Sequence, residues 1–378
     1  MKCSKIFQVS VALVVAVSIA WVAPLIAAKK DKPVVQMAIL LDTSGSMEGL
    51  IEQAKSQLWK IVNTMATSKR NGQTPQLEVA LYEYGKSTIP KSEGYLRMIV
   101  PMSRDLDLMS DELFKLKTNG GDEYCGQVIG AAVEGLKWSP SNKDYKVIFI
   151  AGNEPFTQGT VDYRKTCKSA IEKGIIVNTI FCGNAQEGIN TNWKDGADLA
   201  DGQYMNIDHN KKAVYIKAPQ DQKLAELGRQ LNETYLAYGK AGKKKKEMQT
   251  RQDANAASVG GVAMVQRSVA KASKQYSNVG WDLVDAEKEG AVKVEELEED
   301  ALPEEMKKMS PKERKQFVKE MTEKRDKIQQ KIKTLKKERD TYISKKRKEQ
   351  AQENTLDSAM ISAIKQQAGK KNYKFEKE

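Results

Sequence analysis

From residue 34 to about 207 the chain alternates short apolar runs with amphipathic stretches, and this alternation limits the fold more than any other feature. The apolar runs are VVQMAILL (34–41), LEVALYEY (77–84), YLRMIV (95–100), YKVIFIA (145–151), IIVNTIF (175–181) and QYMNI (203–207). Several are apolar on both faces, as strands sandwiched between helix layers must be. Helical patterns lie between them, over about 50–68, 106–116, 126–136, 162–173 and 192–200. Strand and helix in regular succession predict an α/β fold whose mostly parallel sheet is covered on both sides. The short gap between the second and third runs, with turn residues at Pro90 and Gly94, predicts a hairpin and so one antiparallel edge strand.

The first run ends in DTSGSM (42–47). An acidic residue at the carboxyl end of a buried parallel strand stands where open α/β sheets bind ligands. Asp42 offers a carboxylate, Ser44 and Ser46 offer hydroxyls at two-residue steps, and Gly45 lets the loop bend so that they converge. A set of hard oxygen donors with no sulfur or imidazole suits Mg²⁺, or another hard divalent cation such as Ca²⁺ or Mn²⁺. With one carboxylate and neutral hydroxyls, such an ion keeps a net positive charge and attracts an acidic group of a partner. The competing reading makes Asp42 a cap for the helix that begins near Gly49, with Ser44 and Ser46 satisfying turn amides.

VVQMAILLDTSGSM and the helix after it resemble the first strand and metal-ion-dependent adhesion motif of von Willebrand factor A domains. The resemblance covers about residues 34–238. It implies a doubly wound six-stranded sheet of order 3-2-1-4-5-6 with one antiparallel edge, and a ligand-engaging metal site on its upper face. In that family a threonine from a second loop and an aspartate from a third join the Asp-x-Ser-x-Ser loop. Here the second loop is KTNGGDEYCG, in which Thr118 or Asp122 can offer the oxygen. The third loop reads GNEPF, and aligning Glu154-Pro155 on the family pattern puts Gly152 where the aspartate belongs. Asn153 or Glu154 then substitutes, directly or through water.

Beyond the α/β region the character changes. Residues 221–238 form one more amphipathic pattern, GKAGKKKKE reads as a solvated linker, and an alanine-rich stretch is broken at Gly260 and Gly261. After the acidic EELEEDALPEE, Ser310, Pro311 and Glu313 mark a helix start. From there to about 350 the sequence is dense in lysine, glutamate and arginine. Phe317, Met321, Ile328, Ile332, Leu335, Tyr342 and Ile343 make a narrow apolar stripe, as on a long exposed helix or one that pairs with another chain as a coiled coil. The domain reading is therefore 1–28 signal peptide or N-terminal anchor, 30–240 α/β domain, 241–309 linker and irregular or helical region, 310–352 charged long helix, and 353–378 basic tail.

Lys2 and Lys5 before an uncharged apolar stretch from about Val9 to Ile26 have the layout of a secretory signal. The stretch is also just long enough to span a bilayer as an uncleaved anchor. Both place the chain outside the cytoplasm, periplasmic or secreted, as in exported bacterial relatives of the family. In that space Cys167 and Cys182, on a helix and the strand after it, are the first candidates for a disulfide; three buried thiols are the alternative. The net charge of +12 is concentrated after residue 240, which favours an anionic envelope surface over nucleic acid for an exported chain. No phosphate-binding GxxxxGK[ST], GxGxxG or nucleophile elbow is present, and His209, the only histidine, reads as a surface loop residue. The sequence thus points to a metal-dependent binding protein, not an enzyme, that captures an acidic protein partner. The alternative is an envelope scaffold with a degenerate metal site that acts through its helical tail.

Overall fold

The computed structural model describes residues 32–208, 216–347 and 356–375; the predicted signal and His209 lie outside them. Six strands make the main sheet: β1 (Val34–Asp42), β2 (Gln76–Tyr84), β3 (Arg97–Ser103), β4 (Tyr145–Gly152), β5 (Ile175–Cys182) and β6 (Tyr204–Ile207). Their order is 3-2-1-4-5-6, parallel throughout except for β3, which runs antiparallel to β2 at the edge. Pro101 sits in that edge strand, where a missing N–H costs no ladder bond on the open side.

β1 is flanked on both sides, by β2 and β4, and its side chains alternate between two cores. Met37, Ile39 and Leu41 point into the larger one, beneath α1 (Glu48–Ala66) and α2 (Leu106–Lys115). Ala38 and Leu40 point into the other, beneath α3 (Cys125–Gly135) and α4 (Tyr163–Glu172). Two short helices, α5 (Ala185–Asn190) and α6 (Trp193–Asp198), lead into β6.

The predicted disulfide does not form: Cys125, Cys167 and Cys182 are buried free thiols. Cys125 and Cys167 belong to the core under α3 and α4, whereas Cys182 belongs to the core on the opposite face of the sheet. Despite their short separation in sequence, Cys167 on α4 and Cys182 on β5 lie on different sides of one strand layer. Burial pushes all three thiols up, that of Cys167 to about 12, so none is a ready thiolate.

The second half of the chain is bound to this domain more closely than its sequence suggests. α7 (Asp221–Asn232) is followed by α8 (Gly239–Ser258), so the segment expected to be a linker is the first turns of a helix. Lys246 there is committed to the backbone oxygens of Asn232 (2.7 Å) and Tyr235 (2.8 Å), and Lys245 pairs with Asp105. Gly260, at φ +123°, separates α8 from α9 (Gly261–Lys271), and α10 (Leu283–Lys288) follows. On α9, buried Arg267 pairs with Asp107 of α2 at 2.7 Å and lies 4.6 Å over the ring of Trp59 of α1. A buried charge left without its partner costs several kcal/mol, which is why these pairs hold the helices in place.

α11 (Pro311–Arg347) begins as predicted, with Ser310 and Glu313 bonding reciprocally. Its stripe faces the chain itself. Val318, Ile328 and Ile332 are buried, Arg325 donates to Thr234 O at 2.6 Å, and Arg339 pairs with Asp221 at 2.6 Å. Most of the apolar surface expected to recruit another chain is thus used internally. α12 (Leu356–Lys370) lies where a basic tail is expected. It buries Leu356, Met360, Ala363, Ile364 and Ala368 in the larger core, and Gln367 bonds Asn178 of β5 and Tyr145 of β4. Lys374–Phe375 then pairs with Ser68–Lys69 just after α1.

Because α12 fills the domain core, Ile364→Ala should cost roughly 3 kcal/mol. Urea unfolding should show one cooperative transition shifted to lower midpoint; an unchanged midpoint would mean that α12 is a dispensable tail.

Candidate metal centre

The site lies at the carboxyl ends of β1 and β4. β1 delivers Asp42 fully buried, at 0% exposure, and a turn of 3-10 helix (Gly45–Met47) leads from it into α1. Oδ1 of Asp42 accepts the Ser44 N–H at 2.7 Å. Ser44 and Ser46 hydroxyls lie 3.3 Å apart, and Asn153 Nδ2 donates to Ser46 Oγ at 3.3 Å. Neither serine side chain caps the following helices. Asp42 does satisfy a turn amide, but that occupies only one of its oxygens.

The second loop is stitched to the first through backbone. Asn119 N–H donates to Thr43 O at 2.8 Å, and Ser87 N–H to Gly120 O at 2.6 Å. The third loop is held by Trp193 Nε1, which donates to Glu154 O at 2.8 Å, and by Phe156 N–H on Thr191 O at 2.9 Å. Asp42, Ser44, Ser46 and Asn153 are therefore brought together, with the half-buried Glu154 close enough to disfavour the charge on Asp42. Thr118 is half-buried, and among the described residues no hydrogen bond joins it to this group. Asp122 is exposed and accepts from the Tyr124 hydroxyl at 3.2 Å.

The residue that sequence reasoning missed is Glu123. It is 6% exposed, and its N–H donates to Gln158 Oε1 at 2.7 Å, tying the second loop to the third. Nothing in GGDEYCG distinguishes Glu123 from Asp122; only the start of α3 at Cys125 decides which carboxyl turns inward.

Electrostatics define the centre. Burial raises the Asp42 carboxyl to about 7, relieved in part by the Ser44 amide and hydroxyl and reinforced by Glu154. Burial raises Glu123 to about 8, with Asp42 and Glu154 adding to the effect and Ser44 opposing it. Among the described residues, no lysine, arginine or histidine forms an ion pair with Asp42, Glu123 or Glu154. Oδ2 of Asp42 and Oδ1 of Asn153 are buried without a hydrogen-bond partner. Buried carboxylates are normally paired or bound to metal.

The donor set fits a hard cation. It offers carboxylate, hydroxyl and amide oxygens, two of them orphaned. Among the described residues no three His, Cys, Asp or Glu side chains cluster as a metal site on their own, so hydroxyl and amide oxygens are needed to complete one. Gly152 also has a reason. A Cβ there would lie 3.0 Å from Asp42 Oδ2 and 2.5 Å from the Tyr84 hydroxyl, so an aspartate at this position would displace the carboxyl it should assist.

A doubly wound sheet of order 3-2-1-4-5-6 with one antiparallel edge strand defines a class of α/β domains. Residues 36–192 match the von Willebrand factor type A domain family, and this part of the chain is such a domain. Among curated proteins, none matches the chain. Similar solved structures include the protein BatB from Bacteroides thetaiotaomicron, with 17% identity over 46% of this chain and 90% of that one, at a TM-score of 0.36. An aerotolerance-related membrane protein from Bacteroides fragilis gives 16% identity over 47% of this chain and 93% of that one, at 0.30. The pilus adhesin SpaC from Lactobacillus rhamnosus GG gives 13% over 47% and 28%, at 0.34. Among the described residues no helix is long and apolar enough to cross a membrane.

With divalent ions chelated, the folded chain should bind protons at Asp42 and Glu123 that the unfolded chain, with ordinary carboxyls, releases. Stability should then rise by several kcal/mol, about 6 kcal/mol at most, as pH falls from about 8 to about 5. Thermal melts in chelator would check this slope; a flat or opposite profile would contradict the unpaired burial of the two carboxyls.

Proposed function

We propose that the chain is an exported, metal-dependent binding protein of bacterial type rather than an enzyme. Asp42, Ser44 and Ser46 hold a divalent cation, Mg²⁺ being the natural choice, with Asn153 at its side and Glu154 near. The cation supplies a positive centre that attracts an acidic group of a protein partner. The observation that carries this reading is Asp42 Oδ2, buried at the end of β1 with no hydrogen bond and no cationic side chain paired with it among the described residues. Exposure of Gly45 and Ser46 leaves the mouth of the site open to a partner. Export is supported by the layout of the N-terminal sequence.

Helix-mediated scaffolding is less favoured, because the stripe of α11 packs on its own chain. The lysines on the outer face of α11 remain suited to an anionic envelope surface.

Calorimetric titration of the whole chain with Mg²⁺ and Mn²⁺ should give one site that Asp42→Ala removes, with affinity falling at least tenfold. An identical response from wild type and variant would end this reading.

A further inference from the structure

The second loop brings Glu123 against Asp42 in a way that a bystander carboxylate would not need. Gly85, at φ +76°, separates the two. A Cβ there would meet Asp42 Oδ1 at 2.8 Å and Glu123 Cγ at 2.9 Å, so both side chains line the same small space. Glu123 is nearly as buried as Asp42, and the Ser44 side chain stabilises its charged form. Its neighbour Asp122 is exposed and engaged by Tyr124, so the inward turn is specific to one of two adjacent acids.

Among the described residues no cationic side chain pairs with either carboxyl. Two neighbouring carboxylates in a low-dielectric pocket repel each other, and Asp42 Oδ2, on the Gly152 side of the carboxyl, is buried with no hydrogen-bond partner among the described residues. A divalent ion between them removes both costs at once.

We propose that Glu123 is a second carboxylate ligand of the cation, so that the chain closes its own metal centre and leaves it electrically neutral before any partner arrives. This rests on the metal reading above and refines it. The acidic group that the site would take from a partner is already present in the second loop, and an external carboxylate engages the ion in competition with Glu123. The centre then binds metal more tightly, and acidic partners more weakly, than a site with one carboxylate.

Mn²⁺ titration of the full chain separates the possibilities. Glu123→Gln should weaken Mn²⁺ binding about tenfold or more, while Asp122→Asn, which removes an exposed charge one residue away, should change it less than threefold. Glu123→Asp, keeping the charge on a shorter arm, should fall between wild type and Glu123→Gln. Added acetate should tighten Mn²⁺ binding to Glu123→Gln more than to wild type, since acetate can take the vacated position. Melting in chelator checks folding and carries its own sign: Glu123→Gln should melt higher than wild type there, because a buried unpaired carboxylate is gone, and gain less on adding Mn²⁺. Loss of binding in Asp42→Ala with wild-type affinity in Glu123→Gln would overturn the proposal and leave the metal site standing. Equal binding by all variants would overturn both.

Discussion

β1 is paired along both edges and covered on both faces, and that enclosure decides what Asp42 can be. A carboxylate at the open end of a strand would find water; here the adjoining loops and strand ends close over it until nothing of the side chain is exposed. The sheet order makes this unavoidable. With β2 on one side and β4 on the other, the loops that follow both strands meet above β1, and Tyr84, Gly85 and Gly152 press against its terminal residue. The cost of enclosing a negative charge then falls on whatever neutralises it.

Elsewhere the molecule meets the same cost from within. Arg267, Lys271, Arg325 and Arg339 are buried, and each has a carboxylate at hand. The Arg267–Asp107 and Arg339–Asp221 pairs join the later helices to the α/β domain, and the Lys271–Asp253 and Arg325–Asp282 pairs join the later segments to one another. The contrast with the loop cluster is informative: a chain that pairs its buried charges everywhere along the helical half leaves two acids unpaired at one spot, above the central strand. That selectivity is the physical case for an exogenous cation.

Most of the sheet was legible in the sequence because strand cores announce themselves as apolar runs, and the edge strand because Pro90 and Gly94 force a turn. Asp42, Ser44 and Ser46 were legible through their two-residue spacing. What escaped depended on contacts between distant segments. Glu123 and Asp122 are chemically alike and adjacent, and only the onset of α3 turns one inward. Cys167 and Cys182 are close in sequence, yet the strand's alternation sends them to opposite cores. α12 reads as part of a basic tail, yet Leu356, Met360, Ala363, Ile364 and Ala368 recur at spacings of three and four and form one buried face in the larger core.

One divalent cation held above β1 is the common requirement of these features. Diffraction from crystals grown with Mn²⁺, collected for its anomalous signal, tests this most directly. A peak beside Asp42 Oδ2, in contact with the Ser44 and Ser46 oxygens and with Glu123, is the expected result. Well-ordered Asp42 and Glu123 carboxyls sharing a proton or a water, with no anomalous density between them at saturating Mn²⁺, would contradict it.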